Sequence, residues 1–294
     1  MFETNSPPLI SIIMPTYNRA NFIIETIESI QNQTYTNWEL LIIDDGSDDN
    51  TDQLVISIND SRIRYHKEVH HGMENARKTG LEKANGELIG FMDSDDLWAT
   101  TKLEKQVNVF EDHPDVQFCL TGGYEFINRE EPLVFFYRQK TGIKTGEFFI
   151  PFFQSQFVAI PQTLVFKREC LAHVGFSENL ELAHIHFILS LALQFKGAIL
   201  YEALLHRRLH NNNYSTIHQV KRHFDGINLI RHYKKYLTAD IFADALLRSQ
   251  VNFGETCLKN NQRLKALWAF TRAWKYKPHS IIPIKKIVKV FFYK

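Results

Sequence analysis

A short acidic stretch of this sequence, Asp93-Ser94-Asp95-Asp96, has D-x-D spacing. It directly follows ELIGFM at 87–92, an apolar run that is typical of a buried strand. Two carboxylates at this spacing can ligate Mg²⁺ or Mn²⁺, because both ions prefer oxygen ligands and complete their shell with phosphate oxygens and water. A single stretch of this kind is more often a solvated turn or a helix N-cap. Its meaning therefore depends on the other polar stretches that the fold brings near it.

Two further polar stretches follow predicted buried strands. Pro15-Thr16-Tyr17-Asn18 comes after the run LISIIM at 9–14, and Asp44-Asp45-Gly46-Ser47 ends the run WELLIID at 38–44. Apolar runs that alternate with helical spacing over the first hundred residues predict repeated βα units, and hence a parallel sheet with helices on both faces. Ligand-binding groups gather at the carboxyl ends of such strands. We therefore expect the three polar stretches to meet at one edge of the sheet.

The second half of the chain has a different pattern. Residues 121–160 are rich in aromatic residues and glycine, which predicts strands and loops that shape an acceptor pocket. From about residue 216 the pattern is helical, with amphipathic helices around 240–259 and 262–276. We predict a catalytic α/β domain at 1–215 and a helical region at 216–294.

Charge is divided unevenly along the chain. The net charge is +1, but residues 1–219 carry 18 Lys/Arg against 29 Asp/Glu, whereas residues 220–294 carry 16 against 4. The 3 cysteines are far apart, which argues against a disulfide framework or a zinc ribbon and fits a reducing compartment. Neither a signal peptide nor a transmembrane run is recognisable. We expect a soluble cytoplasmic protein.

The three polar stretches, together with Gly72, Ala76-Arg77 and Gly80, resemble the family 2 inverting glycosyltransferases with the GT-A fold. The resemblance is dense from about residue 9 to 110 and thinner to about 215. It implies an α/β architecture: a Rossmann-like, mixed and mostly parallel sheet flanked by helices, here with a C-terminal helical extension. It also implies that a sugar is transferred from a nucleotide sugar with inversion at the anomeric carbon.

The resemblance implies a role for each residue near the nucleotide. The segment that wraps the base is matched by Pro15, Thr16, Tyr17 and Asn18. Tyr17 would stack on the base, and Asp45 would accept a hydrogen bond from the base N–H. Arg77 matches an arginine that lies beside the nucleotide.

The D-x-D stretch and a later basic segment carry the roles implied for the diphosphate and the metal. Asp93, Ser94 and Asp95 match the motif that contacts the ribose and the metal-bridged diphosphate, with Asp95 as the direct ligand of Mn²⁺ or Mg²⁺ and Asp93 beside it. His206-Arg207-Arg208-Leu209-His210 resembles the family's Arg-x-His segment. There His210 would approach the metal or the diphosphate, and Arg208 or Arg207 would bind phosphate through its planar fork.

The catalytic base departs from the family pattern. An inverting transfer is a single displacement, so the acceptor hydroxyl must lose a proton as it attacks. In the family the base is an aspartate of a Glu-Asp pair, about eight residues after Gly-Phe. Gly175-Phe176 sets that register here, and it places His184 and Ile185 where the pair is expected.

Three interpretations of the missing aspartate stay open. His184 or His186 takes the proton, which is reasonable because imidazole titrates near neutral pH. Alternatively, Glu181 or Glu178 reaches the site from a shifted helix start. In the third interpretation the protein binds a nucleotide sugar without transferring it, as a non-catalytic scaffold of a glycan assembly complex.

The last residues interleave lysines with bulky apolar residues. A helix over 284–292 would gather one apolar face, formed by Ile284, Ile287, Val288, Phe291 and Phe292, beside Lys285, Lys286 and Lys289. Such a basic amphipathic helix can rest on an anionic membrane surface, and the alternative is a terminal helix docked on the core. No nucleic-acid-binding motif is present, so nucleic acid is not an expected partner.

These observations lead to one predicted function. We expect a metal-dependent, hexosyltransferase-like enzyme that moves a sugar from a UDP sugar to a glycan or a lipid-linked acceptor. By analogy with the family, the setting is bacterial surface polysaccharide synthesis. The enzyme would work in the cytoplasm, at the inner face of the plasma membrane if the C-terminal helix binds lipid.

Overall fold

The computed structural model describes residues 6–127, 132, 134–137, 140–176, 182–210, 213 and 219–292. Its Cα packing divides the chain into two compact units. The sheet unit comprises Met1–Phe149, Phe157–Ser177 and Phe187–His210, and the helical unit comprises Ile150–Gln156, Glu178–His186 and Asn211–Lys294. Most of the helical unit therefore follows residue 210. The two short segments that join it from earlier in the chain were not foreseen.

The sheet unit is built on one mixed sheet. Within the described residues its strands are β1 (Ile10–Thr16), β2 (Trp38–Asp44), β3 (Ile63–Lys67), β4 (Leu88–Phe91), β5 (Leu97–Trp98), β6 (Phe118–Phe126), β7 (Val134–Phe135), β8 (Ile143–Gly146), β9 (Val165–Lys167) and β10 (Gly197–Arg208). They lie in the order β3-β2-β1-β4-β9-β6-β10-β5, with β7 paired to β6 and β8 to β10. Pairing is parallel across β3-β2-β1-β4 and between β6 and β10, and antiparallel elsewhere. The predicted α/β class with a mostly parallel sheet is confirmed.

The chain also forms helices, and those after residue 210 belong to the helical unit. In the described residues they are α1 (Ile23–Gln31), α2 (Thr51–Ile56), α3 (Met73–Lys83), α4 (Lys102–Asp112), α5 (Phe149–Phe153), α6 (Ala183–Gln194), α7 (Gln219–His232), α8 (Ala239–Lys259), α9 (Arg263–Tyr276) and α10 (Ile281–Phe292). None of these described helices combines the length and the apolarity needed to cross a bilayer.

The two strands at the centre of the first βα units fix the edge where the polar stretches meet. All seven residues of β1 and all seven of β2 are buried, as expected for strands covered on both faces. Their register is in phase, with Ile10 opposite Trp38 and Thr16 opposite Asp44. Because β4 runs parallel on the other side of β1, the chain after Phe91 leaves the sheet at the same edge.

The helical unit has its own core. Phe270 of α9 packs directly on the backbone of α8 at Gly254, where an added Cβ would lie 2.3 Å from the Phe270 ring. The core is completed by α10, whose Val290 is buried and whose Ile287 packs against the same cluster. Glycine at position 254 therefore lets α8 and α9 approach closely.

The predicted apolar face of α10 is only partly buried. Ile287 turns inward to the core of the helical unit, whereas Ile284, Val288 and Phe291 are exposed, and Ile281 extends their row by one more turn. The side chain of Phe292 lies outside the described residues. One side of this apolar face packs on α8 and α9, and the other side forms an exposed stripe.

Candidate functional site

The three predicted polar stretches meet at the carboxyl edge of β1, β2 and β4. Pro15 and Thr16 end β1 as buried residues, and the Thr16 carbonyl accepts a hydrogen bond of 2.9 Å from the Asp45 amide. The D-x-D turn follows β4, and its Ser94 is buried. The expectation that these stretches converge is therefore confirmed by the strand order.

The loops after β1 and β2 are tied to each other. Asn18 has φ of +52°, a left-handed conformation that asparagine tolerates. Its amide donates to Ser47 Oγ at 2.9 Å, and its Oδ1 accepts from the Asp48 amide at 3.0 Å. Tyr17 directly precedes Asn18 on this loop, and 41% of its surface is exposed. The centroid of its ring lies 4.5 Å from that of the His70 ring. An exposed aromatic face on a fixed loop can stack on a planar base.

Asp45 ties the end of β2 to the start of α3. Asp45 Oδ1 accepts from the His71 amide at 2.7 Å, and Asp45 Oδ2 accepts from the Gly72 amide at 2.9 Å. His70 Nδ1 also lies 2.9 Å from Asp45 Oδ2. Gly72 has φ of +93°, which favours glycine. The Gly72 amide also lies 3.1 Å from Asp45 Oδ1, so both carboxylate oxygens already have partners, and a bond from Asp45 to a base N–H stays a prediction.

Arg77 lies behind the D-x-D turn. Its side chain is buried, and one Nη donates to Asp93 Oδ1 at 2.6 Å while the other lies 3.3 Å from Glu74 Oε1. Burial alone would lower the pKa of Arg77, but the carboxylates of Asp93 and Glu74 raise it above its ordinary value, so the group stays charged. The second oxygen of Asp93 accepts from Gln162 Nε2. Arg77 thus orients Asp93, and its place beside the nucleotide stays a prediction.

Asp95 forms the charged centre of the cluster. Its Oδ2 lies 3.0 Å from His210 Nε2 and 3.3 Å from Arg19 Nε. Burial raises the pKa of Asp95, but the hydrogen bond from His210 and the charge of Arg19 outweigh it and lower the pKa below the usual range. Phe22 stacks on the His210 imidazole, with ring centroids 4.6 Å apart. Asp95 is therefore an ionised carboxylate beside a fixed imidazole.

The donor set around Asp95 fits a divalent cation with few protein ligands. Asp95 Oδ2 and His210 Nε2 face each other at 3.0 Å, and a cation that bound both atoms would replace the contact between them. Among the described residues no group of three or more His, Cys, Asp or Glu is arranged to hold a metal. Two protein ligands suffice for Mg²⁺ or Mn²⁺ when phosphate oxygens and water supply the others.

Arg208 holds the turn from the other side. Its amide donates to Asp96 Oδ1 at 2.9 Å, and its Nε donates to the Asp95 carbonyl at 3.0 Å. The guanidinium also pairs with Glu25. Burial and the neighbouring charges of Asp95 and Asp93 raise the pKa of Asp96 well above its ordinary value. Phosphate binding by Arg208 stays a prediction, as it does for Arg207, which pairs with Glu125 at 2.6 Å.

The candidate bases belong to a different compact unit from the D-x-D cluster. His184 and His186 lie in the first turn of α6, within the helical unit. His186 Nδ1 lies 2.8 Å from the hydroxyl of the buried Tyr233. Burial, and then the nearby His232, lower the pKa of His186. Glu178 and Glu181 lie outside the described residues, so the identity of the base stays a prediction.

Two residues that contact the D-x-D carboxylates were not predicted from the sequence. Arg19 directly follows the Pro15–Asn18 stretch, and its basic side chain beside a predicted metal site was a usable signal. Gln162 gives no such signal, because it is 69 residues from Asp93 and meets it only through the antiparallel insertion of β9 beside β4.

Comparison with known proteins places this site in a family. A model described as Glycosyl transferase family 2 matches residues 11–172, more than half of the chain. The chain belongs to glycosyl transferase family 2. The matched residues include the stretches at the ends of β1, β2 and β4, but not His184, His186 or His210.

Relatives of this family 2 chain align with less than half of it. WfgD of Escherichia coli, a UDP-Glc:alpha-D-GlcNAc-diphosphoundecaprenol beta-1,3-glucosyltransferase, is 46% identical over 121 residues, which are 41% of this chain and 47% of WfgD. TuaG of Bacillus subtilis, named for teichuronic acid biosynthesis, is 38% identical over 122 residues, 40% of this chain and 48% of TuaG. The chain thus spans less than half the length of either relative.

Solved structures match over nearly the whole family 2 chain. S. aureus TarS 1-349 in complex with UDP-GlcNAc has a TM-score of 0.68 at 19% identity, covering 91% of this chain and 81% of TarS 1-349. The mannosyltransferase PcManGT from Pyrobaculum calidifontis, in complex with GDP-Man and Mn2+, has a TM-score of 0.61 at 18% identity, covering 97% and 80%. These matches confirm the predicted GT-A fold.

Proposed function

We propose that this family 2 glycosyltransferase moves a sugar from a UDP sugar to a glycan or lipid-linked acceptor with inversion, in surface polysaccharide synthesis. The observation that carries the proposal is the fixed pair of D-x-D carboxylates, Asp93 and Asp95, at the strand edge beside an exposed Tyr17. WfgD is named for a UDP-Glc donor and a diphosphoundecaprenol-linked acceptor, and TuaG for teichuronic acid biosynthesis. Their names support the donor class and the setting.

The residues of the site divide the work of such a transfer. Tyr17 stacks on the base, and Asp93, oriented by Arg77, accepts hydrogen bonds from the ribose. Asp95 and His210 hold Mn²⁺ or Mg²⁺, a proposal that the Mn2+ complex of PcManGT supports. When bound, such a cation neutralises the charge that grows on the diphosphate leaving group. Arg208 keeps the D-x-D turn in place by its bonds to Asp95 and Asp96.

Release of nucleoside diphosphate tests this function against the scaffold alternative. The full chain is incubated with Mn²⁺ and a panel of UDP, GDP and dTDP sugars, with and without lipid-linked or free glycan acceptors. The enzyme should release UDP from at least one UDP sugar, faster with an acceptor. Tight binding of a UDP sugar without release under any acceptor would favour the scaffold, and absence of both binding and release would overturn both.

Tyr17→Ala should weaken UDP binding by about 1–2 kcal/mol, or about 5–30-fold, because the base loses its aromatic platform. Calorimetric titration of UDP in the presence of Mn²⁺ measures the change. Tyr236→Ala is the matched control, since Tyr236 is 45% exposed against 41% for Tyr17 and lies in the helical unit. Equal affinity of the Tyr17 variant and the wild type would show that Tyr17 does not contact the base.

We also propose that α10 binds an anionic membrane surface. Its outer stripe consists of Ile281, Ile284, Val288 and Phe291, each 45–69% exposed, with the exposed Lys285 and Lys289 alongside. From Lys259 to the end the chain has ten basic residues and no acidic one. An exposed apolar stripe flanked by lysines is the pattern of a helix that lies in the headgroup region.

Vesicle cosedimentation tests the membrane proposal. The full chain should sediment with vesicles containing phosphatidylglycerol at low salt and remain in the supernatant with phosphatidylcholine alone. Val288→Asn with Phe291→Asn should lower the bound fraction several-fold, while UDP binding stays unchanged. Lys259→Gln, which lies at the end of α8, serves as a single-charge control. If the full chain did not sediment with anionic vesicles at low salt, the proposal that the stripe binds membranes would be wrong.

A further inference from the structure

A half-open cavity of about 190 Å³ lies in the sheet unit beside β6 and β10. Both strands line it, together with Phe135, Tyr137 and Lys140. β10 shifts its register against β6 between Leu200 and Leu205, and this irregularity carries Tyr201 and Glu202 out of the regular ladder. Bulges of this kind re-aim side chains next to functional sites.

Glycine in β6 makes room for the irregular part of β10. A Cβ at Gly122 would lie 2.6 Å from the Glu202 carbonyl oxygen, and one at Gly123 would lie 2.4 Å from the Leu205 carbonyl oxygen. Any larger residue would push β10 away at this point. The glycine pair and the register shift therefore belong together, and the cavity is a built feature of this strand pair.

The cavity wall combines aromatic faces with both signs of charge. The rings of Tyr137 and Tyr201 meet edge to face with centroids 5.1 Å apart, and Lys140 Nζ lies 5.2 Å from the Tyr201 centroid. The Tyr137 hydroxyl accepts from the Val158 amide at 3.0 Å, which fixes the position of that ring. Glu202, paired with Lys105, supplies a carboxylate. The wall thus offers flat apolar surface, an ammonium donor and a carboxylate acceptor.

We propose that this cavity binds one hexopyranose ring of an acceptor glycan. A pyranose has an apolar C–H face, which suits an aromatic ring, and hydroxyls at its rim, which suit Lys140 and Glu202. Cavities that enclose drug-sized ligands measure about 300–1,000 Å³, so this smaller volume suits a single ring. The Glu202 carboxylate would repel a phosphate ligand. An acyl chain would cover the charged groups of Lys140 and Glu202 without pairing them, which is unfavourable.

The cavity is too far from the D-x-D turn to hold the sugar that reacts. Glu202 precedes Arg208 by six residues of the same strand, which corresponds to at most roughly 20 Å because β10 is irregular near Glu202. This assignment rests on the proposed function: the cavity would bind a sugar unit of the acceptor that is several sugar units away from the hydroxyl under attack. It would anchor longer acceptors and leave the donor site unaffected.

Saturation-transfer difference NMR on the full chain tests the assignment. The probes are methyl hexopyranosides of glucose, galactose, mannose and N-acetylglucosamine at millimolar concentration, together with maltotriose. At least one should bind the wild type saturably. Tyr201→Ala should weaken that binding about tenfold, Glu202→Gln should weaken it less, and calorimetric UDP affinity should stay unchanged in both variants. Tyr236→Ala, in the helical unit, is the control and should bind as the wild type does.

The outcomes separate this proposal from the proposed function. Saturable sugar binding that both cavity variants leave intact would overturn the cavity assignment. So would the absence of saturable sugar binding in a wild type that binds UDP, and in neither case would the donor site be affected. Sugar binding that Tyr201→Ala weakens, in a protein that binds no nucleotide, would support the cavity and overturn the proposed function. A protein that binds neither probe would overturn both.

Discussion

Asp95→Asn should abolish the metal dependence of UDP binding and lower turnover by about 10²–10³-fold, the range seen when one electrostatic stabiliser of a transition state is removed. Asp95 is an ionised carboxylate 3.0 Å from His210 and 3.3 Å from Arg19. The amide keeps the shape of the side chain but removes its charge, so the cation loses its strongest protein ligand. His210→Ala should reduce the same metal dependence by a smaller factor, because imidazole is neutral when it acts as a ligand.

Calorimetric titration of UDP with and without Mn²⁺, together with steady-state turnover, measures this effect. Asp115→Asn is the matched control, because Asp115 lies in the same unit but is exposed and pairs only at the surface with Lys196, at 3.2 Å. Thermal melting should show that the Asp95 variant is folded. If Mn²⁺ strengthened UDP binding equally in the Asp95 variant and the wild type, the assignment of Asp95 as metal ligand would be wrong.

Replacing both His184 and His186 by alanine should lower turnover by about 10²–10⁴-fold without changing UDP affinity, provided that one of them is the base. The base acts on the acceptor hydroxyl in the transition state and does not touch the diphosphate. Full turnover in the double variant would eliminate both histidines, and Glu178 and Glu181 would become the next candidates. His279→Ala, on an exposed part of the helical unit, is the control.

Single variants separate the two histidines. His186 is bonded to Tyr233, so its replacement also disturbs the packing of the helical unit. Tyr233→Phe removes the hydroxyl alone and should leave turnover nearly unchanged if His186 serves only in packing. The expected result is that His184→Ala carries most of the loss, because His184 occupies a position of the family's Glu-Asp pair. Ile185→Asp restores the other position and should raise activity if the site is merely weakened.

The pH dependence of turnover gives a second view of the base. Only neutral imidazole accepts a proton, so activity should fall as the pH drops through the pKa of the histidine involved. Burial and His232 lower the pKa of His186, so a profile controlled by His186 would lose activity below the usual histidine range. A carboxylate with an ordinary pKa would keep the profile flat down to about pH 5. The variant whose pH profile no longer falls at low pH, His184→Ala or His186→Ala, identifies the histidine that causes the fall.

The parts of the site that depend on local hydrophobic patterns could be predicted from the sequence. The ends of β1, β2 and β4 could be predicted to meet, because each buried strand is a continuous apolar run and parallel strands share one carboxyl edge. The bond from Asp45 to the amides of His71 and Gly72 could not be predicted, since nothing in the DDGS stretch specifies a partner 26 residues later. The same holds for Gln162, whose contact with Asp93 depends on an antiparallel strand inserted into a parallel pattern.

The helical half shows a different limit. Helices α8 and α9 were predicted within one residue at each end, because a 3.6-residue period is a strong local signal. The period alone could not say which apolar residues of α10 turn inward. Ile287 and Val290 fit the groove on α8 and α9, and this choice depends on the shape of the partner helices, which the α10 sequence does not contain.

The ties between the loops after β1 and β2 have a consequence for affinity. Asn18 is fixed by Ser47 and Asp48, and Asp45 fixes the approach to α3. The conformational entropy of these loops is therefore lost when the chain folds, before any nucleotide arrives. An ordered pocket leaves less to be ordered on binding, so each contact with the ligand contributes more fully to the observed affinity. The strength of nucleotide binding is in this sense partly a property of the folded loops themselves, and not only of the side chains that touch the ligand.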